Sequence, residues 1–306
     1  MPALQLDFEL IMQLGLWLEI PARADMGRLF DQVAAMGFSS LHAHFPEGCD
    51  LALARRLTRA CASSGLTLAA VSGYANPLRP DAAPMGSTLA QLADLIELLP
   101  RLNVRRIVSW SGSFGSGLFD DHPDNHTQVG WDALCASVDE LMPLLDAVEA
   151  VLLFEPYYTH VLGVPSEVVR FCTEFNSPYL GVVLDPPNML PPGTWARQAE
   201  MIPDDVATLA RHVGLVHLKD MRLRDGKLDL PGPGQGELDY PTFFAALEAA
   251  GISAPAIIEH VTLEEAPAAR AFVLRQGFRG QVSGFRSNAS GSRAPAKTAK
   301  EPGTLS

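Results

Sequence analysis

The chain has 306 residues, 47% hydrophobic and 19% charged, with a formal net charge of −12. That length suits one α/β barrel of about 250 residues or two small domains, and the apolar content is ample for a sizeable core. The acidic balance argues against a nucleic-acid partner, whose affinity rests on Lys and Arg at phosphates, and no stretch approaches the length of apolar sequence that a membrane span needs.

The N-terminal stretch carries Asp7, Glu9 and Glu19 in place of a basic segment followed by an apolar one, so no signal peptide is expected. Cys49, Cys61, Cys135 and Cys172 are widely scattered with no Cys-x-x-Cys spacing. In a chain without a secretion signal they read as reduced, mostly buried thiols, and a soluble cytoplasmic protein is expected.

Strand-like apolar runs alternate with helical patterns along the chain. IMQLGLWL (11–18) precedes MGRLFDQVAAMG. FSSLHAHF (38–45) precedes DLALARRLTRACASSG, which starts near Asp50 and stops at Gly65, as helices do. LTLAAVSGY (66–74) precedes STLAQLADLIELLPRL, and VRRIVSW (104–110) precedes WDALCASVDELMPLLDAVEA. VLLFE (151–155), YLGVVLD (179–185) and VGLVHLKD (213–220) precede PSEVVRFCTEF, PDDVATLARHV and DYPTFFAALEAAG. PAIIEHV (255–261) ends the series.

Eight alternating units predict a closed (β/α)8 TIM barrel over residues 1–280 in preference to an open doubly wound sheet. No Gly-x-Gly-x-x-Gly follows the first strand and no Gly-x-x-x-x-Gly-Lys occurs, so nucleotide-binding versions of the open fold have no support. Residues 281–306, poor in apolar residues and rich in Ser, Ala, Lys and Pro, predict a disordered tail.

Four runs in the second half each deliver one metal-type ligand at the C-terminal end: Glu155, Asp185, His217 and Glu259. Such runs, rich in Val, Ile and Leu, read as parallel strands buried on both faces, where an ionisable residue needs a partner. Taken singly, a strand-end carboxylate is most often a cap or an ion-pair partner. Four at equivalent positions point to one shared divalent cation, because strand ends surround a barrel's active site. Alternation puts Leu153 on the face of Glu155 and Ile257 on that of Glu259. Three carboxylates and one imidazole suit Mn²⁺ or Mg²⁺ better than a thiolate-rich Zn²⁺ site.

Together with FEPY (154–157), VVLDPPN (182–188), VHLKDMR (216–222), PGQGELDYPTFFAAL (233–247) and IIEHV (257–261), this order resembles the xylose isomerase-like TIM barrels, the sugar phosphate isomerase/epimerase superfamily, over about residues 9–277. The resemblance implies one divalent metal ion held by Glu155, Asp185, His217 and Glu259. Mn²⁺ is the first choice, with Mg²⁺, Co²⁺ or Zn²⁺ as alternatives. It also implies that Glu155 and Glu259 are the catalytic acid/base pair of an isomerase or epimerase acting on a small carbohydrate or sugar phosphate. Proton removal beside a ketone gives an enediolate that a divalent ion can stabilise. The same intermediate could expel a β-hydroxyl, so a dehydratase resembling inosose dehydratase is the alternative. Similar proteins commonly assemble as dimers or tetramers.

Around the ligands, Lys219 and Arg222 are candidate substrate contacts, as similar sequences use basic residues there; ion pairing, with Asp220 or a neighbouring loop, is the competing role. Asn188 stands where some ketose epimerases carry a substrate-binding His, which weakens a specific 3-epimerase reading, although its amide can still donate to a hydroxyl. His42 and His44 share one face of their strand, with His44 at the mouth and His42 deeper. Trp17 and Trp110 could wall a sugar ring, and His160 follows the fifth strand. Two Gly-rich segments, SGSFGSG (111–117) and PGPGQGE (231–237), could cradle a phosphate or form flexible loops.

Overall fold

The structure is a computed structural model that describes residues 12–83, 86–117 and 119–281. Eight parallel strands follow in chain order around a closed barrel: β1 Met12–Glu19, β2 Ser40–His44, β3 Thr67–Ser72, β4 Arg106–Trp110, β5 Val151–Glu155, β6 Leu180–Leu184, β7 Val213–Leu218 and β8 Ala256–Ile258. Pairing of β8 with β1, Leu14 opposite Ala256 and Leu16 opposite Ile258, closes the ring. The predicted TIM barrel is the observed fold.

Outside the ring lie α1 Met26–Ala35, α2 Leu51–Ser64, α3 Leu89–Leu102, α4 Gln128–Val148, α5 Pro165–Phe175, α6 Gln198–Leu209, α7 Tyr240–Ala249 and α8 Ala266–Arg275. α2 begins and ends as its sequence predicts. The Asp50 carboxylate accepts the Leu53 amide at 2.7 Å, and Gly65 stops the helix at φ 69°, where a side chain would be strained. α8 has no counterpart among the predicted patterns, because its buried face consists of Ala266, Ala269 and Val273 and its apolar period is faint. A one-turn helix, Pro186–Met189, and an antiparallel hairpin, Arg222–Arg224 with Lys227–Asp229, also have no counterpart there.

Most of the core lies between strands and helices, and a second, smaller core fills the barrel. Gln281, assigned to the tail, pairs with Gln13 in a short strand, Gly280–Gln281. The rest of the expected tail, 282–306, lies outside the described residues, as do Asp7, Glu9 and Ile11. All four cysteines are free, and burial pushes the Cys49 and Cys61 thiols up to about 12. Among the described residues no helix is long and apolar enough to cross a membrane.

Candidate metal centre and substrate cavity

The period-two alternation of a strand decides which side chains reach the barrel mouth. Inside the barrel, Ala70, Val108, Leu153, Val183, Leu215 and Ile257 form a buried apolar layer. Two residues further along come Ser72, Trp110, Glu155, Asp185, His217 and Glu259. On β1 the inward position below Trp17 is Gly15, where a Cβ would lie 2.6 Å from Ile257 Cδ1. Polar groups at the mouth thus stand on a close-packed floor that excludes water from beneath.

Glu155 and His217 belong to their strands, whereas Asp185 and Glu259 are the first residues beyond β6 and β8. One ligand atom from each of the four lies within 4.8 Å of all the others, and all four residues are buried. The predicted ligands converge at one point. Lys219 joins them: its Nζ lies 2.5 Å from Asp185 Oδ2, 2.7 Å from Glu259 Oε1 and 3.4 Å from Glu155 Oε1. Its ion-pair partners are these carboxylates.

Burial and mutual charge set the protonation of this cluster. Burial opposes ionisation of Glu155 and Glu259, but the His217 and Lys219 charges outweigh it and hold both below the usual glutamate range. Burial raises Asp185, and repulsion from Glu259 and Glu155 adds to that against the pull of Lys219. For His217, burial acts downward while Glu259 and Glu155 outweigh it, lifting the imidazole to about 10. A cation taken up here must therefore displace a proton, because a ligating imidazole is neutral.

The residues fit a divalent ion. Asp185 Oδ1 and His217 Nδ1 are buried at the centre without a hydrogen bond, His217 Nδ1 lying 3.2 Å from Glu259 Oε2 and 3.5 Å from Glu155 Oε1, and the donor set of three carboxylates and one imidazole is that of a hard cation.

Behind His217 a buried chain fixes the ring. His217 Nε2 lies 3.2 Å from His42 Nδ1, His42 Nε2 lies 2.9 Å from Ser72 Oγ, and Trp17 Nε1 donates to that oxygen at 3.3 Å. Burial and the His217 charge hold His42 well below the usual histidine range, so it is neutral, with one donor and one acceptor nitrogen. When His217 Nε2–H donates to His42, its Nδ1 lone pair faces the carboxylates, the tautomer that a metal requires. His42→Ala is expected to weaken divalent-ion affinity about 10–100-fold, read by isothermal titration. Unchanged affinity would remove His42 from this role.

Glu155 is oriented from two sides, by Asn188 Nδ2 at 2.7 Å to Oε1 and Tyr74 OH at 3.1 Å to Oε2. It opens into a cavity of about 560 Å³, whose lining includes His44, Asn188, Lys219 and Trp110 among the residues expected to meet substrate. Trp17 lines it too. Arg222 does not: its guanidinium is bonded to Asp229 Oδ2 at 2.7 Å in the hairpin and to Gln235 O at 2.9 Å in the loop beyond it. His42 lies below, and His160 is stacked on Phe119 and meets Trp110 edge-on. Tyr74, Phe119, Tyr157, Glu19 and Glu265 also line the cavity, and no site role is expected of them from sequence. Tyr74 was within reach of the alternation rule, two residues after Ser72. A larger cavity, about 690 Å³, opens beside this one and shares His44, but none of the four ligands lines it.

Asp220 organises the loop after β7. Its carboxylate accepts the amides of Met221 at 3.0 Å, Gly234 at 2.9 Å and Leu238 at 2.9 Å. Asp220→Ala is expected to cost about 3 kcal/mol of stability, since each buried amide left unpaired costs about 1–3 kcal/mol. Urea unfolding measures this, and a loss below about 0.5 kcal/mol would mean that the amides find other partners.

Residues 30–276 match the family model of the xylose isomerase-like TIM barrel. None of the curated proteins matches the chain by sequence. Among solved structures, an L-ribulose 3-epimerase superposes with a TM-score of 0.65 at 18% identity, covering 87% of this chain and 94% of that one. A D-psicose 3-epimerase with D-tagatose from Clostridium cellulolyticum H10 gives 0.65 at 17%, covering 86% and 99%. A 3-keto-D-glucoside 4-epimerase from E. coli gives 0.66 at 16%, covering 86% and 99%. At these identities the likeness is one of fold.

Proposed function

The chain belongs to the xylose isomerase-like TIM barrel family, and from that premise we propose that it is a divalent-metal-dependent carbohydrate isomerase or epimerase. The observation that carries this reading is the convergence of Glu155, Asp185, His217 and Glu259 within 4.8 Å at a cavity mouth, two of the ligand residues being oriented carboxylates. The similar folds of an L-ribulose 3-epimerase and a 3-keto-D-glucoside 4-epimerase are consistent with it.

A divalent ion held by the four residues, Mn²⁺ by preference, would supply electrophilic stabilisation of charge developing on the substrate's oxygens. The remaining steps belong to the chain. Glu155, kept ionised and aimed by Asn188 and Tyr74, takes or returns a proton beside the substrate carbonyl. Glu259 does so from its own side. Protonation on the face opposite to deprotonation inverts the carbon, an epimerisation. Return of the proton to the neighbouring carbon by one carboxylate exchanges aldose and ketose. His44, Asn188, Lys219 and Trp110 meet the rest of the substrate.

The test is incubation with Mn²⁺ in D₂O against ketoses, ketose phosphates and inososes, read by NMR. Carbon-bound deuterium in a recovered sugar is expected, and its position names the exchanging carbon. Loss of water to a dicarbonyl product would mark the dehydratase alternative. No stoichiometric divalent ion in the purified protein, and no effect of adding one, would sink the proposal.

A further inference from the structure

We propose that the substrate is an uncharged, unphosphorylated polyhydroxy ring whose apolar C–H face packs on the wall formed by Trp17, Tyr74 and Trp110. This rests on the carbohydrate reading above and narrows it.

Charge gives the first reason. Lys219 is the only Lys or Arg among the described residues lining the cavity, and it is bonded to Asp185 and Glu259. Glu19 and Glu265 stand in the same lining, and the next cation along the chain, Arg222, is bonded within the hairpin. A phosphate dianion entering this mouth would meet carboxylates and no free guanidinium.

The backbone gives the second. Barrels bind phosphate through loop amides, commonly after the seventh and eighth strands, and the two Gly-rich segments were candidates for such a cradle. In the first, the amides of Ser113, Phe114, Gly115 and Gly117 donate to Asn76 Oδ1, Asn125 Oδ1, Ser113 Oγ and Asp120 Oδ2. In the second, Gly234 donates to the Asp220 carboxylate, as does Leu238 just after it, and Glu237 donates to Met221 O. After β8 the Thr262 amide donates to Glu265 Oε2 at 2.8 Å. At all three places these amides donate to the protein's own oxygens, three of the acceptors being carboxylate groups, and so are not free for a phosphate.

Shape gives the third. Trp17 stacks on His44 with ring planes 16° apart, and Tyr74 stacks on Trp110 at 22° with centroids 4.9 Å apart. Flat aromatic faces suit the C–H face of a closed ring better than an open chain, because only the ring presents its C–H groups in one plane. The cavity of about 560 Å³ exceeds the roughly 360 Å³ of a six-carbon polyol, taking about 30 Å³ for each water-sized heavy-atom group. A ring carrying a further neutral substituent fits.

The experiment uses the full chain loaded with Mn²⁺. Tryptophan emission is titrated with scyllo-inosose, methyl 3-keto-glucopyranoside, D-fructose and D-fructose 6-phosphate, and each mixture is assayed for deuterium incorporation. Saturation by at least one cyclic ketone at a concentration ten or more times lower than for D-fructose 6-phosphate is expected. Phosphorylation should weaken fructose binding. Trp110→Ala should weaken ring binding at least tenfold, while Trp110→Phe, which keeps a flat face and the packing, should retain most of it. Tighter binding of the phosphate ester than of D-fructose, no binding of either cyclic ketone, or unchanged ring binding in Trp110→Ala would overturn the proposal. Deuterium entering D-fructose 6-phosphate preferentially would overturn the substrate class and uphold proton transfer. Ring binding without deuterium in any probe would uphold the class and refute the isomerase reading.

Discussion

Glu155→Gln and Glu259→Gln are each expected to lower the rate of carbon–hydrogen exchange about 10³-fold, the usual worth of a positioned acid or base, or about 4 kcal/mol of barrier. Both changes preserve volume, so the apolar floor beneath them is undisturbed. They differ in what they leave behind. Glu155 accepts hydrogen bonds on both oxygens, from Asn188 and from Tyr74. A glutamine amide would turn one N–H group toward a donor, so Glu155→Gln should also lose thermal stability. Glu259 faces Lys219 Nζ at 2.7 Å on one oxygen and His217 Nδ1 at 3.2 Å on the other. Glu259→Gln removes one of the three carboxylates that offset Lys219. Ion content measured alongside rate separates lost proton transfer from lost metal. Wild-type exchange in both variants would refute their acid/base role.

Lys219→Met is expected to destabilise the ion-free protein by about 3–5 kcal/mol, the cost of leaving buried charges without their partner. Three carboxylates lie within 3.4 Å of the Lys219 ammonium. Their attraction, Asp185 first, is what holds that ammonium charged, against the downward pull of burial. A divalent ion would neutralise the same oxygens, so it should restore much of the lost stability. At a concentration 100 times its dissociation constant, an ion adds about 2.7 kcal/mol to any protein that binds it only when folded. The variant should bind it more tightly than the wild type, because no resident ammonium competes. Urea unfolding with EDTA and with Mn²⁺ measures both effects. Equal ion-free stability of variant and wild type would show that Lys219 does not balance the cluster.

Much of the site was legible because barrel geometry is periodic. A run such as VLLFE announces its strand and its buried faces, and alternation predicts that Leu153 and Glu155 share a side. Leu153 lies in the apolar layer and Glu155 at the mouth above it. The same holds for Ile257 and Glu259. Asp185 and Glu259 lie one residue beyond their strands, a shift within the ordinary uncertainty of element ends. α8 has no legible period because alanine contributes little contrast between helix faces.

Other features had no local signature. Arg222 stands five residues after His217, yet its guanidinium is bonded to Asp229 across a hairpin formed by two three-residue strands. The Gly-rich segments could read as phosphate cradles, since glycine spacing says nothing about what occupies the amides. Their occupants come from Asn76, Asn125 and Asp220, the first 37 residues from the Ser113 amide it accepts. Alternation places Tyr74 on the face of Ser72, but its bond to Glu155, 81 residues away, has no spacing relation behind it.

The sequence by itself determined the barrel, the four converging candidate ligands and the acidic character of the protein, because strand period, strand-end position and net charge are properties of short segments or of composition. Only the tertiary structure decided that Lys219 sits among the carboxylates, that His42 backs His217, and that the Ser113 and Gly234 amides are taken by Asn76 and Asp220. Each of those depends on which side chains from distant strands and loops meet at one end of the ring. Closure of β8 on β1 settles that, and no local pattern records it.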